Sequence, residues 1–196
     1  WYNGSAMSTL EVNTINEYSA ANGVTIDGLK IKDVTSGSTM SKPVLQIVNQ
    51  FYVTQTSLTG DTFGDTGLTA DITPTSTSSD ILCMFYPTFS GEDNSYVAFK
   101  MFRDSTEIGS STVTGTGIEC FTGFPFDDDA NTSHSVITLP LVYLDSPSTT
   151  SATTYKIQFS PMRSSSKTCY LNRAYNLNDD NKIRGSSNVI LMEIAG

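Results

Sequence analysis

The chain has 196 residues, of which 38% are hydrophobic and only 16% charged, with a formal net charge of −9. That length suits one all-β domain of ordinary size, or a small domain with an appendage. Eleven scattered basic residues in an acidic chain argue against a nucleic-acid face, which needs clustered Lys and Arg for phosphate contacts, and the Ser/Thr/Asn/Gly-rich remainder argues against a helical cytosolic enzyme.

In chain order, Trp1 and Tyr2 precede an Asn3-Gly4 turn signal and read as the end of an element, so the chain, which starts at Trp1 rather than Met, is expected to be a fragment or a processed product. Across residues 8–33, Leu10 and Val12, then Val24 and Ile26, then Leu29 and Ile31 alternate with polar residues, punctuated by Asn22-Gly23 and Asp27-Gly28. Residues 13–21, around Ile15, make a poor helix because Thr14, Ile15, Tyr18 and the asparagines disfavour it. These apolar pairs are too few to bury against one another, and a lone two-stranded ribbon is marginal in water. Copies from neighbouring chains are expected to supply the missing surface. Residues 35–41 are a Gly/Ser/Thr linker and Pro43 breaks regular structure, so the reading divides the chain into a stem, 1–41, and a head, 42–196.

From Val44 the β-signals become dense. In residues 44–53, Leu45, Ile47, Phe51 and Val53 share one parity; residues 54–74 are polar and rich in Asp and Gly. Residues 81–85 are apolar on both faces and predict a central strand. Residues 96–102 predict another, and a hairpin-like turn at 103–107 leads into Ile108. Residues 113–126 are mixed, and 127–135 a loop. Residues 136–160 predict two strands joined by a Ser/Thr-rich surface connection. In the first, Ile137, Leu139, Leu141 and Tyr143 point one way and Val142 and Leu144 the other; in the second, Tyr155, Ile157 and Phe159 alternate with polar residues. A basic loop at 163–167, a short strand at 169–171, a polar loop at 172–187 and a closing strand at 189–194 complete about eight strands, the spacing of an antiparallel sandwich or barrel.

Three cysteines without CxxC spacing read as reduced thiols, Cys83 as a small core residue, with Cys120 and Cys169 able to pair but not required to. No stretch approaches a membrane span and no signal peptide is visible, so no membrane insertion is expected.

Residues 9–18 (TLEVNTINEY) and 23–33 (GVTIDGLKIKD) resemble a segment recurring in bacteriophage fibre proteins ahead of a distal domain. Residues 72–82 (ITPTSTSSDIL), 102–109 (FRDSTEIG), 144–147 (LDSP) with 149–155 (TTSATTY), and 189–196 (VILMEIAG) resemble the jelly-roll heads of fibre-like proteins from phages, many of them marine; residues 1–6 are similar to the closing strand of small upstream fibre modules. The resemblance implies an all-β antiparallel jelly-roll-like sandwich on a short, intertwined β-rich stem. It implies a homotrimer held through residues 8–33 (Leu10, Val12, Ile15, Val24, Ile26, Leu29, Ile31) and the inner faces of three jelly rolls. It also implies a place in the virion tail or fibre, with tail proteins upstream as partners and a bacterial cell-surface glycan or protein as receptor.

Candidate receptor contacts are aromatics and basic loop residues. Phe121, Phe124 and Phe126 around Gly123 and Pro125 suit sugar stacking if exposed; burial beneath the loop or at a subunit interface is the competing reading. Arg163, Lys167, Arg173, Lys182 and Arg184 gather in the C-terminal loops and suit anionic glycans, or simply keep those loops soluble. His134 is the only histidine, which excludes a multi-histidine zinc site. Asp127-Asp128-Asp129 with Asn131, and Asp179-Asp180, read as solvated acidic turns rather than calcium loops. Carboxylate pairs for glycoside cleavage arise easily among 20 acidic residues and single out nothing. Neither a catalytic set nor a cofactor is expected. The alternatives to a tail-fibre head are a head-fibre, decoration or baseplate protein of the same fold without receptor role, and a polysaccharide-cleaving tail enzyme.

Overall fold

The computed structural model describes residues 42–112, 115–126, 135–162, 165–176 and 183–196. The expected stem, 1–41, with Leu10, Val12, Ile15, Val24, Ile26, Leu29 and Ile31, lies outside them, as do Asp127, Asp128, Asp129, Asn131, His134, Arg163, Asp179, Asp180 and Lys182. The described residues carry thirteen strands and no helix: β1 (Val44–Tyr52), β2 (Thr56–Thr59), β3 (Gly64–Ile72), β4 (Asp80–Tyr86), β5 (Thr88–Gly91), β6 (Ser95–Arg103), β7 (Thr106–Ile108), β8 (Thr122–Phe126), β9 (Ile137–Thr138), β10 (Leu141–Asp145), β11 (Thr153–Met162), β12 (Thr168–Leu171) and β13 (Ser187–Ile194).

All strand pairs are antiparallel. They build three sheets: a first, β1-β13-β4-β10; a second, β2-β12-β5-β9; and a third, β3-β11-β6-β7, in which β8 extends the same edge of β6 as β7. The lateral order is the same in each, because every strand of the short second sheet links a strand of the first to one of the third. A four-strand antiparallel ribbon is thus folded over, and the second sheet closes one end of the sandwich. The order of the two large sheets is that of a jelly-roll-like arrangement.

Strand periodicity explains the core. From the first sheet Ile81, Cys83, Phe85, Leu141, Val189 and Leu191 face inward; from the third come Leu68, Val97, Phe99, Met101, Tyr155, Ile157 and Phe159. Phe89, on the second sheet, meets Phe99 edge-on at 4.7 Å between ring centroids, and Phe99 stacks on Phe159 at 6.4 Å. Burying one such ring stabilises the fold by about 1.5–3 kcal/mol.

Two regions depart from the sequence reading. Residues 54–74, rich in Gly and Asp, contain β2 and β3 rather than a plain polar connection. In β3 the inward residues are Thr66, Leu68, Ala70 and Ile72, and only two of them are large and apolar, so the period of two is faint. Gly67 stands at φ +84° where the register between β3 and β11 shifts, the conformation of a bulge that glycine adopts freely. The first strand of residues 136–160 is broken at Leu139-Pro140 into β9 and β10. β10 belongs to the first sheet beside β4, while β11 runs in the third between β3 and β6, so these two strands are not hairpin partners.

The outer faces of the two large sheets differ. On the third sheet the face is polar and internally paired: Lys156 Nζ and Gln158 Nε2 both donate to Asp65, at 3.0 and 2.8 Å, and Thr154 Oγ1 donates to Asp71 at 2.6 Å. The first sheet's outer face is apolar almost throughout.

Candidate functional site

That apolar face is assembled by register. Ile47 pairs with Met192, Met192 with Leu82, and Leu82 with Leu144, a row of four apolar side chains across all four strands. The next row runs Asn49, Ile190, Met84, Val142. Tyr86 lies on the same side, its hydroxyl 3.8 Å from the Met84 sulfur. At the β1 edge Ile47, Phe51 and Val53 are 59%, 60% and 63% exposed. At strand spacings of about 4.8 Å and a rise of about 3.3 Å per residue the shared face spans about 19 by 23 Å. A patch of that size matches the largest apolar patch of a typical monomer, which is often functional.

Phe126 is a core residue rather than a loop residue: residues 122–126 form β8, paired to β6, and their alternate side chains turn inward. Phe126 is 2% exposed, its ring 5.9 Å from Phe89 and 5.4 Å from Phe124. Phe124 is half-buried in the same cluster, 6.5 Å from Phe89. Phe121 meets Tyr143 edge-on at 6.4 Å. The run of aromatics is accounted for by this inward packing.

The basic residues act mainly as fasteners. Lys167 Nζ donates to the Asp93 carbonyl at 2.7 Å. Arg173 donates from Nε to the Ala174 carbonyl at 3.1 Å and from Nη2 to the Tyr175 carbonyl at 3.0 Å, with its guanidinium 4.5 Å above the Tyr170 ring. Tyr170 and Tyr175 are 5.9 Å apart. Arg173 and Arg184 are joined by an isolated β-bridge, which pins the two ends of the β12–β13 connection; Arg184 points to the surface. The structure therefore brings Arg173 and Arg184 together through the β-bridge and ties Lys167 to the β5–β6 turn.

A concave site occurs where sequence reading marked nothing. Between β7, at the edge of the third sheet, and β10, at the edge of the first, a cleft of about 650 Å³ is lined by Glu107, Ile108, Ser110, Thr112, Glu119 and Tyr143 among others. Ile108 is its apolar floor and Glu119 stands exposed at its rim. Gly109 has φ +70°, and a Cβ there would lie 2.7 Å from the Phe121 ring and 3.0 Å from Tyr143, so the wall is closely fitted. Glu107 is held by Lys100 at 2.8 Å. Burial works against its charged form, but the hydrogen bond from Lys100 and the lysine's charge outweigh that and keep the carboxyl below its usual range. The cleft exists because two edge strands of facing sheets meet there, a tertiary relationship that strand periodicity does not encode.

Among the described residues no group of three or more His, Cys, Asp or Glu side chains is placed to hold a metal ion. No helix among them is long and apolar enough to cross a membrane. All three cysteines are free, Cys83 and Cys169 buried and Cys120 half-buried.

No protein-family model matches the sequence, and no curated protein does. Among solved structures the chain is similar to the Gt strain of infectious bursal disease virus (TM-score 0.39, 11% identity, covering 88% of this chain and 44% of that one). It is similar also to the VP2 subviral particle of infectious bursal disease virus (TM-score 0.38, 10% identity, 86% and 44%). A third is the tripod from the baseplate of bacteriophage Tuc2009 (TM-score 0.19, 11% identity, 97% and 83%). The chain spans less than half the length of the two infectious bursal disease virus chains. With TM-scores below 0.5, these likenesses assign neither family nor function.

Proposed function

We propose that the chain is a virion structural protein, the distal part of a homotrimeric tail fibre that attaches the particle to its host. The observation that carries the reading is the contrast between the sandwich's two outer faces. Water is well served by the paired Lys, Asp, Gln and Thr residues of the third sheet. The first sheet offers rows of Ile, Leu, Met and Val, each exposed side chain costing hydrophobic free energy until something covers it. Three copies around an axis, each turning this face inward, cover it with identical surfaces and leave the polar sheets outside. A footprint of about 19 by 23 Å is smaller than the roughly 800 Å² per partner of a standard stable interface, which gives the stem, with Leu10, Val12, Ile15, Val24, Ile26, Leu29 and Ile31, a share of the work. Tail proteins join upstream, and a bacterial surface glycan or protein is the receptor. Weak contacts repeated three times per fibre and over several fibres give firm attachment through effective concentration. The work is adhesion, not catalysis.

One observation favours a second reading, a head-fibre, decoration or baseplate protein of the same fold without receptor role: Phe126 and, in part, Phe121 and Phe124 are turned inward and offer little to a ligand. Light scattering at micromolar and nanomolar concentration, followed by adsorption of the labelled protein to bacterial cells, decides. A mass three times that of the chain, unchanged on dilution, with saturable adsorption, supports the fibre reading. A stable trimer that adsorbs to no host cell favours decoration, and a monomer overturns the trimer.

A further inference from the structure

We propose that the cleft between β7 and β10 is a binding site for an uncharged, hydroxyl-rich saccharide, and so the receptor-reading part of the molecule; the second half of this statement rests on the attachment reading above. Its volume is about 650 Å³ and it lies open to solvent, which leaves room for a saccharide to enter from the surface. The lining has the mixed character that sugars need. Ile108 and the Tyr143 ring offer apolar surface to a pyranose C–H face, and Thr112, the Tyr143 hydroxyl and two carboxylates offer hydrogen-bond partners to hydroxyls. The Tyr143 ring packs edge-on against Phe121, a contact that restrains it and lowers the entropy lost when a ligand settles on it.

Charge selects the ligand class. The cleft's own ionisable groups are Glu107 and Glu119. Lys100 is the cation facing Glu107 and is engaged with it at 2.8 Å, so Glu119 at the rim remains in a chain of net charge −9. An acidic sugar meets repulsion there, whereas neutral hydroxyls donate to both carboxylates. This differs from the anionic glycans that the basic loop residues suggest in sequence, because Arg173 and Lys167 are engaged with backbone carbonyls. The same geometry favours binding over cleavage. A glycosidase needs one carboxyl held protonated as the acid, and Glu107, gripped by Lys100 at 2.8 Å, is held ionised.

The test is titration of the full chain with chitotriose, maltotriose and tri-galacturonic acid, read by calorimetry and saturation-transfer NMR. Two variants accompany it, Glu119→Ala at the exposed rim and Tyr143→Phe, which keeps the ring and its packing, together with Thr77→Ala in the β3–β4 connection as a control. The expected result is binding of a neutral trisaccharide at micromolar to millimolar concentration, weakened at least fivefold in either cleft variant and unchanged in the control, with no binding of tri-galacturonic acid and no release of reducing sugar. Three results overturn the proposal: no trisaccharide binds, the acidic one is preferred, or the cleft variants bind as well as the parent. Release of reducing sugar turns the cleft into an active site and overturns the binding-only assignment. Cell adsorption separates the two levels. A trimer that adsorbs to cells equally in the parent and in Glu119→Ala removes the cleft as receptor site and leaves the attachment reading standing; a protein that binds the trisaccharide but adsorbs to no cell removes the attachment reading and leaves the site.

Discussion

Tyr155 on β11 donates its phenolic hydrogen to Asp145 Oδ2 on β10 at 2.7 Å, a bond that crosses the core from the third sheet to the first. Arg103, on β6, donates from Nη1 to both oxygens of the same carboxylate, at 3.0 and 2.9 Å. Asp145 is 5% exposed and Tyr155 fully buried. Burial first, then the hydrogen bond to Asp145 and the charge of that carboxylate, push the Tyr155 phenol far above its ordinary value, so it remains a donor at any working pH. The clip gives the two sheets a directional, polar alignment in the midst of their apolar packing.

The clip yields graded costs. Tyr155→Phe removes one hydrogen bond and leaves Asp145 with Arg103, so about 1–2 kcal/mol of stability is lost. Asp145→Ala strips both Arg103 and the buried phenol of their acceptor and costs about 3 kcal/mol, at the low end for a broken buried pair because Arg103 is partly exposed. Guanidinium unfolding with fitted m-values measures both. Equal losses in the two variants would show that the aspartate adds nothing beyond the tyrosine bond.

Substitutions on the apolar face should separate assembly from folding. Ile47→Lys and Leu144→Glu stand at opposite ends of the row Ile47, Met192, Leu82, Leu144, and both are more than half exposed in the single chain. A charge at either position costs the isolated head little, within about 0.5 kcal/mol for surface sites, but is buried unpaired once the face is covered. The expected outcome is a fall in molar mass by light scattering with the circular dichroism spectrum preserved. Thr69→Lys, on the polar sheet, serves as the comparison and should leave the mass unchanged.

What could be read from sequence divides along the same physical line. Strong alternation gave β11, an apolar run near the C-terminus gave β13, and the double-sided apolar run at 81–85 correctly marked β4 as an interior strand, flanked by β13 and β10. β3 escaped because Thr66 and Ala70 fill two of its four inward positions and Gly67 interrupts it. The inward turn of Phe126 was not decided, since its burial depends on β8 pairing with β6, a contact more than twenty residues distant in sequence. The basic loop residues looked like a charged surface because composition does not reveal that Arg173 is spent on carbonyls two residues away or nearer. Tyr143 was read as sharing a strand face with Leu141, and both turn toward the core; that Tyr143 also lines a cleft follows only from which strands end up at the sheet edges.

Asn172 ties the corner where the first and second sheets meet. It is fully buried at φ +62°, its Nδ2 donates to the Tyr52 and Thr54 carbonyls at 3.0 and 2.9 Å, and its Oδ1 accepts from Ser187 Oγ at 2.6 Å. Ser187 Oγ in turn accepts from the Thr88 backbone N–H at 2.9 Å. Asn172→Ala loses these bonds and keeps a Cβ in the left-handed region, for a cost of about 3 kcal/mol. Asn172→Gly loses the same bonds but relaxes the backbone, and should be about 1 kcal/mol less damaging. Thermal unfolding of the two variants checks the order; if Gly is the worse of the two, the backbone conformation is not a source of strain.

Glu193 sets the acid limit at the opposite end of β13, where the β3–β4 connection meets the start of β1. It faces inward and is fully buried, with Oε1 accepting from the Thr75 N–H and Oγ1, both at 2.7 Å, and Oε2 accepting from Gln46 Nε2 at 2.6 Å. Burial opposes its charge, but the hydrogen bonds from Gln46 and Thr75 and the nearby Ser79 hydroxyl outweigh that and bring the carboxyl down to about 2 from an ordinary 4.5. In the unfolded chain the group takes up its proton near 4.5, while the folded chain resists until about 2. Its stabilisation is therefore complete above about pH 4.5 and is lost progressively as the pH falls toward 2. Asp65, Asp80 and Glu107 are also lowered by their partners and add their own acid dependence, so the readout is the difference between the parent and Glu193→Gln. At pH 7 the variant should be less stable by about 2 kcal/mol, since an amide turns donors toward donors. Guanidinium midpoints of the two proteins should converge between pH 4.5 and 2. A gap that stays constant down to pH 2 would mean that the carboxylate's charge contributes nothing and that only the shape of the side chain matters.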